Sequence, residues 1–246
     1  MAQQTPPGVP APDFAPLPTS AAPRQDNQDP ALFGPTPSQT VGPYFHYCLP
    51  WKGGADLVGG SGIGARPDLF PEEHDVLHRA PPRGPVRGEI IAIVGTVLDG
   101  AGEPVTDALI EIWGANALGR YHGAADGRED LPLDPCFTGF GRAAVGADGA
   151  FRFLTLRPGR APIRIDDDRL QAPHIAVGVF GRGLLKRLAT RLYFDDSDSN
   201  DEDPVLSRVP EARRATLIAR RVADAPPTYR FDIRLRGDGE TVFFAL

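Results

Sequence analysis

Three patterns in this chain place metal-binding side chains at spacings that could do chemistry. In QAPHIAVGVFGRG, Gln171 to Gly183, the residues Ile175, Val177 and Val179 are β-branched and alternate, which predicts an extended segment. Side chains repeat every two residues in a strand, so His174, Ala176 and Gly178 share the opposite face. Histidines at 174 and 176 would grip one metal ion, but the second position is alanine, leaving half of a metal site. In HDVLH, His74 and His78 share a face if the stretch is helical. This is the spacing of the zinc-protease pattern, but Asp75 stands where that pattern has its glutamate, and no third ligand is evident; a solvated helical turn is expected. The acidic run DDSDSNDED, Asp195 to Asp203, lacks the glycine and glutamate register of a calcium loop and reads as a solvated loop. His46 and His122 each stand without a second ligand at local spacing. No G-x-S-x-G elbow is present, so no serine nucleophile has local support.

The elements that must position these residues are mostly strands. EIIAIVGTVLD, ALIEIW, GAFRFLTL, HIAVGVFG, TRLYF, YRFDIRLRG and TVFFAL are short apolar or alternating runs. Turn residues separate them, and Asp148-Gly149 predicts a hairpin. One helix is expected over Pro210–Arg221, with proline at its start and arginines at its end. A short helix is also expected at PEEHDVLHR. Many short strands with one or two short helices and long loops predict an all-β sandwich over residues 34–246. Trp113, Phe151, Phe153 and Phe231 are expected in its core. Residues 1–33, rich in proline and alanine, read as a disordered tail, since they lack the apolar mass to offset ordering entropy. Residues 52–88 are loop-like, and their glycines match no phosphate-binding or dinucleotide fingerprint.

Composition narrows the function classes. The chain has 246 residues, 41% of them hydrophobic, enough for one sizeable core. A net charge of -6 argues against a general nucleic-acid binder, which needs a basic surface. No apolar run approaches the roughly 18 residues of a membrane span, and the N-terminal stretch has neither the basic start nor the apolar run of a secretory signal. Two cysteines, Cys48 and Cys136, in a chain this long point to a reducing, cytoplasmic setting.

Six stretches, in order along the chain, resemble one family, the intradiol ring-cleaving dioxygenases. They are TPSQTVGPYFHYCLP (36–50), ALIEIWGANALGRYHGAAD (108–126), DPCFTGFGR (134–142), FLTLRPGRAP (153–162), APHIAVGVFGRGLLKRLATRLYFDD (172–196) and YRFDIRLRGDGETVFF (229–244). The resemblance implies an intradiol β-sandwich that cleaves a catechol with O2. A catalytic chain of this family holds Fe(III) with two tyrosines and two histidines, phenolate oxygens suiting a hard, highly charged ion. By that resemblance Tyr121, in GRYHG, falls on the first tyrosine, and Ala161, in GRAPI, on the second. His174 falls on the first histidine and Ala176 on the second. Tyr121 and His174 are therefore vestigial ligand positions, and no metal ligand or catalytic residue is expected in this chain alone.

The departures resemble those of the iron-free alpha subunit found in the family's two-chain members. There the Fe(III) sits in a partner beta subunit, and the pocket for a small aromatic substrate lies between the chains. By the same resemblance Thr40, Gly42, Pro43 and Tyr44 contribute to the pocket wall, where Gly-Pro makes a preset bend that a planar ring can approach closely. Arg182, in FGRG, matches a pocket arginine whose guanidinium favours a carboxylated catechol, protocatechuate. Two rivals remain: a single-chain intradiol enzyme of altered specificity, and a non-enzymatic β-sandwich binding module. Co-purification of an iron-containing partner separates the three.

Overall fold

The computed structural model describes residues 54–58, 84–123, 125–164 and 169–245. Among these described residues, nine strands carry the fold: β1 (Ile90–Leu98), β2 (Leu109–Gly114), β3 (Phe140–Ala144), β4 (Ala150–Leu156), β5 (His174–Phe180), β6 (Leu188–Phe194), β7 (Ile218–Asp224), β8 (Pro227–Arg230) and β9 (Ile233–Arg234). Their order is β3-β2-β5-β6-β7-β8-β1-β4, with β9 beside β1. β7 joins two layers. Its first residues, Ile218 and Ala219, run parallel to Tyr193 and Phe194 of β6, and its later residues pair antiparallel with β8 across a bulge at Arg221/Ala223. A strand that bends from one sheet into the next makes a sandwich corner.

The alternation seen in the sequence explains the core. Ile110, Ile112, Ile175, Val177, Val179, Leu192 and Phe194 face inward from one layer; Ile91, Ile93, Phe151, Phe153 and Tyr229 meet them from the other. Each such side chain, fully buried, contributes roughly 1.5–3 kcal/mol of transfer free energy. Residues 54–58 tie the two edge strands together, since Gly54 O accepts from Arg142 N (2.8 Å) in β3 and Leu57 N donates to Leu154 O (2.8 Å) in β4. An exposed edge is thereby covered.

Four sequence expectations are corrected. The helix expected over Pro210–Arg221 is a single turn, α1 (Glu211–Arg214), followed by a 3-10 turn Ala215–Leu217 and then by β7. Pairing with β6 and β8 outweighs the helical propensity of the ARRATLIARR stretch. Asp148-Gly149 does form a turn, with Gly149 at φ 70° and Gly146 N donating to Ala150 O (2.8 Å). The strands it joins are not a hairpin, however: β3 pairs with β2, and β4 with β1. TVFFAL makes only an isolated bridge, Phe244 to Ala189. The run Asp195–Asp203 is not simply a solvated loop, because Asp203 is fully buried and accepts from Ala172 N (2.8 Å), Tyr193 Oη (3.1 Å), Val205 N (2.9 Å) and Leu206 N (2.7 Å). The tail at 1–33, the PEEHDVLHR helix with His74 and His78, and His46 and Cys48 lie outside the described residues. Cys136 is a buried free thiol. Among the described residues, no helix is long and apolar enough to cross a membrane.

Candidate functional site

The outward face of β5 carries His174, Ala176 and Gly178, as the alternation requires. Strand register sets their neighbours. Ala176 lies between Trp113 of β2 and Arg191 of β6; His174 lies opposite Tyr193; Gly178 lies between Glu111 and Ala189. Trp113 in turn pairs with Phe140 of β3.

Tyr121 reaches this face from the long β2–β3 loop. Asn116 folds the loop's start: its Oδ1 accepts from Leu118 N and Arg120 N, both at 3.0 Å, and its Nδ2 donates to Pro132 O at 3.0 Å. Gly119, at φ 82°, presses so close to Arg160 that a Cβ would run into the Arg160 carbonyl oxygen. Gly159 N donates to Asn116 O (2.9 Å), so the loop is tied to the segment holding Ala161. Tyr121 N donates to Asp126 Oδ2 (2.8 Å), and Arg128 clamps Asp126 through Nε (2.8 Å) and Nη2 (2.6 Å). The Arg128 hydrogen bond holds the Asp126 carboxyl down at about 2. The Tyr121 ring stacks on Trp113, centroids 6.3 Å apart and planes 8° off parallel. Trp113 is thus 38% exposed on the outer face, a correction to its expected place in the core; Phe151, Phe153 and Phe231 are buried as expected.

The two donors meet. Tyr121 Oη lies 3.4 Å from His174 Nε2, and His174 Nδ1 lies 2.8 Å from Ala172 O. A carbonyl only accepts, so Nδ1 carries the proton and Nε2 presents its lone pair to the phenol. Burial lowers the His174 pKa to about 4, helped by the positive charge of Arg191. Burial raises the Tyr121 pKa, with Arg191 and Arg128 opposing it. The pair is neutral at pH 7. Ala161, 1% exposed, accepts from Gln171 N (2.8 Å) three residues before His174, and Ala176 lies one step further along the strand face. Neither offers a donor atom. Among the described residues, no group of three or more His, Cys, Asp or Glu side chains could hold a metal ion. Arg191 occupies the same neighbourhood, its Nη1 donating to Gln171 Oε1 (2.6 Å) and lying 3.5 Å from Tyr193 Oη.

Beside Ala176 opens a groove of about 440 Å³, lined by Trp113, Phe140, Ala176, Gly178, Arg187, Arg191 and Phe244 among others. The sequence reading did not single out Phe140, Arg187, Arg191 or Gln171. No local signal could have found them, since they converge only through the β3-β2-β5-β6 register.

Comparison with known proteins decides the family. A family model described as Dioxygenase matches residues 70–237. The chain is 43% identical over 215 residues to the protocatechuate 3,4-dioxygenase alpha chain of Burkholderia cepacia, covering 85% of this chain and 96% of that one. This chain belongs to the intradiol dioxygenase family. It is also 40% identical over 179 residues to the beta chain of the same name and organism, covering 71% and 76%. The 3-chlorocatechol 1,2-dioxygenase structure from Rhodococcus opacus 1CP shares the fold, with a TM-score of 0.51 at 20% identity over 63% of this chain and 62% of that one.

Within this intradiol fold the remaining sequence-predicted residues fall apart from the Tyr121–His174 pair. Arg182 follows the far end of β5, so the length of the strand, roughly 20 Å at about 3.3 Å per residue, separates it from His174. Its side chain is 64% exposed, and its Nε pairs with Asp107, just ahead of β2. Thr40, Gly42, Pro43 and Tyr44 lie outside the described residues. His122, beside Tyr121, is exposed.

Proposed function

We propose that this chain is the alpha subunit of a protocatechuate 3,4-dioxygenase and works with a protocatechuate 3,4-dioxygenase beta subunit that holds the Fe(III). The assembly uses O2 to cleave protocatechuate between its two hydroxylated carbons, giving 3-carboxy-cis,cis-muconate. Identity alone does not separate alpha from beta, since 43% and 40% are close. One observation carries the choice: of the four positions that the resemblance assigns to iron ligands, Ala161 and Ala176 carry no donor side chain, which leaves Tyr121 and His174, 3.4 Å apart. Iron chemistry then belongs to the partner, and this chain's part is to complete the pocket wall with Thr40, Gly42, Pro43, Tyr44 and Arg182. Arg182 and the Tyr121–His174 pair occupy opposite ends of β5, which suits a chain whose own site is vestigial while its far loop serves a neighbour.

The test is metal analysis and visible absorption of the chain expressed alone and with its partner. Alone, it carries no stoichiometric iron and no phenolate-to-iron charge-transfer band. With the partner, iron, colour and ring cleavage appear together in one complex. A coloured, iron-loaded and active lone chain would overturn the assignment.

A further inference from the structure

The layer of the sandwich that does not hold the Tyr121–His174 pair carries an unexplained row of charge on its outer face. Tyr229 and Ile93 point into the core, so Arg230 and Val94, one step along their strands, point outward. The register sets Arg220 of β7 opposite Arg230 of β8, Arg230 beside Val94 of β1, and Val94 opposite Arg152 of β4. Arg220, Arg230 and Arg152 therefore stand in one row across four strands, and all three are exposed. Directly opposed residues such as Arg220 and Arg230 have Cα atoms roughly 4.5–5.5 Å apart. Like charges so placed destabilise a strand pair. Local acids do not cancel the repulsion. Among the described residues lining the groove between the two arginines, Asp232 is the one carboxylate. Its Oδ1 accepts from Thr96 N (3.0 Å) and its Oδ2 from Arg230 Nε (2.8 Å). The terminal nitrogens of Arg230 stay open, and Arg220 and Arg152 form no hydrogen bond or ion pair among the described residues.

The groove has a volume of about 250 Å³ and is also lined by Thr216, Ile218 and Thr241. That is smaller than the usual site for a drug-sized molecule and suits a compact anion. Thr241 is 1% exposed, and its Oγ1 accepts from Arg234 N (3.0 Å), so its own proton has no acceptor among the described residues. The polar groups left over are thus donors: two guanidinium forks and a hydroxyl. The whole chain is at -6, so this positive field is local. One guanidinium fork satisfies a planar carboxylate, whereas two forks side by side match the several oxygens of a phosphate. We propose that this groove binds a phosphate group between Arg220 and Arg230. The bound dianion neutralises the opposed charges and so stabilises the β7–β8 pair, at the corner where β7 passes from one layer to the other. No covalent bond forms or breaks. The inference goes beyond the subunit assignment and needs neither the iron nor the substrate pocket.

The test is a calorimetric titration of inorganic phosphate into the full-length chain, with sodium chloride at matched ionic strength as the control. Phosphate binds saturably, with a Kd of about 1 mM or tighter, and raises the thermal midpoint; chloride does neither. Arg220→Gln and Arg230→Gln each weaken binding at least about tenfold, the loss of one charge-assisted contact. In phosphate-free buffer the midpoint of Arg220→Gln is at or above that of the parent chain, because the variant removes a repulsion. That separates a lost ligand from a lost fold. Ribose 5-phosphate, titrated in the same way, identifies the source of the group. Binding no tighter than inorganic phosphate assigns free phosphate, binding at least about tenfold tighter assigns an organic phosphate ester, and either supports the site. No saturable phosphate binding, an equal response to chloride, or unchanged affinity in Arg220→Gln overturns the proposal. In the complex with the partner, phosphate still binds, protocatechuate does not displace it, and Arg220→Gln leaves kcat/KM for protocatechuate unchanged. Displacement by protocatechuate would put the phosphate in the substrate pocket, and exclusion from the complex would make this face a protein interface; either overturns the proposal. Iron content and ring cleavage of the same complex report separately on the subunit assignment.

Discussion

At the scale of single residues, the site is defined by the contact between Tyr121 and His174. His174 is 5% exposed, and its imidazole is held neutral by burial and by Arg191. Its folded pKa, about 4, lies below the ordinary value of 6.5. A base whose pKa is depressed on folding contributes stability fully above about pH 6.5, and that stability is lost as pH falls toward 4, because the unfolded chain binds the proton more readily. Between pH 7.5 and pH 5 the loss attributable to His174 is about 2 kcal/mol. His174→Gln removes the titrating group, so its unfolding free energy changes less over that interval than the parent's. Denaturant titrations of both proteins at the two pH values check this; parallel losses would mean that other groups carry the acid sensitivity. Asp126, held at about 2, titrates below this window and does not confuse the reading.

At the scale of elements, the acidic run after β6 anchors the site. Asp203 takes four hydrogen bonds, one from Ala172 N just before β5 and one from Tyr193 at the end of β6. Ala172 O is also the acceptor that orients His174. The 3-10 turn Asp198–Glu202, with no buried residue of its own, therefore leads to a carboxylate that pins the entry of β5. Asp203→Ala strands these donors away from water and is expected to cost about 3–5 kcal/mol. Asp201→Ala, two residues away and exposed, changes stability by no more than about 0.5 kcal/mol. Unfolding midpoints of the two variants check the contrast. Composition alone did not announce it: nine nearly uniform acidic and polar residues look solvated, and only the fold selects one of them for burial.

At the scale of the whole molecule, β5 sets the distance between the Tyr121–His174 pair and Arg182, the residue proposed to read a carboxylate. Its start bears the Tyr121–His174 pair and the groove; beyond its end, the exposed loop bears Arg182, along with Leu185 at 74% exposure. In the alpha–beta assembly proposed above, Arg182→Ala is expected to lower kcat/KM for protocatechuate about tenfold to hundredfold more than for uncarboxylated catechol, the range of a charge-assisted contact worth roughly 1.5–3 kcal/mol. The Asp107 ion pair and solvent screening place the effect toward the lower end. Equal losses on both substrates would assign Arg182 to the interface instead of the carboxylate.

Much of this molecule was legible before any coordinates. Period-two alternation located β1, β2, β4, β5 and β6, and it put Ile175, Val177 and Val179 on one face of β5 and His174 and Ala176 on the other; the structure makes the first face core. Side-chain direction along a strand is a local property, so the shared face of His174 and Ala176 could be read from two residues. Other features depend on which strands pair, and pairing is not local. β7 looks helical until β6 and β8 supply its partners, Trp113 looks like core until its strand is set beside Ala176, and Asp203 looks solvated until Ala172 and Tyr193 converge on it. The groove with Arg187 and Arg191 exists only because the sandwich brings β2, β3, β5 and β6 into one face, where residues distant in sequence share a volume that no stretch of chain encodes alone.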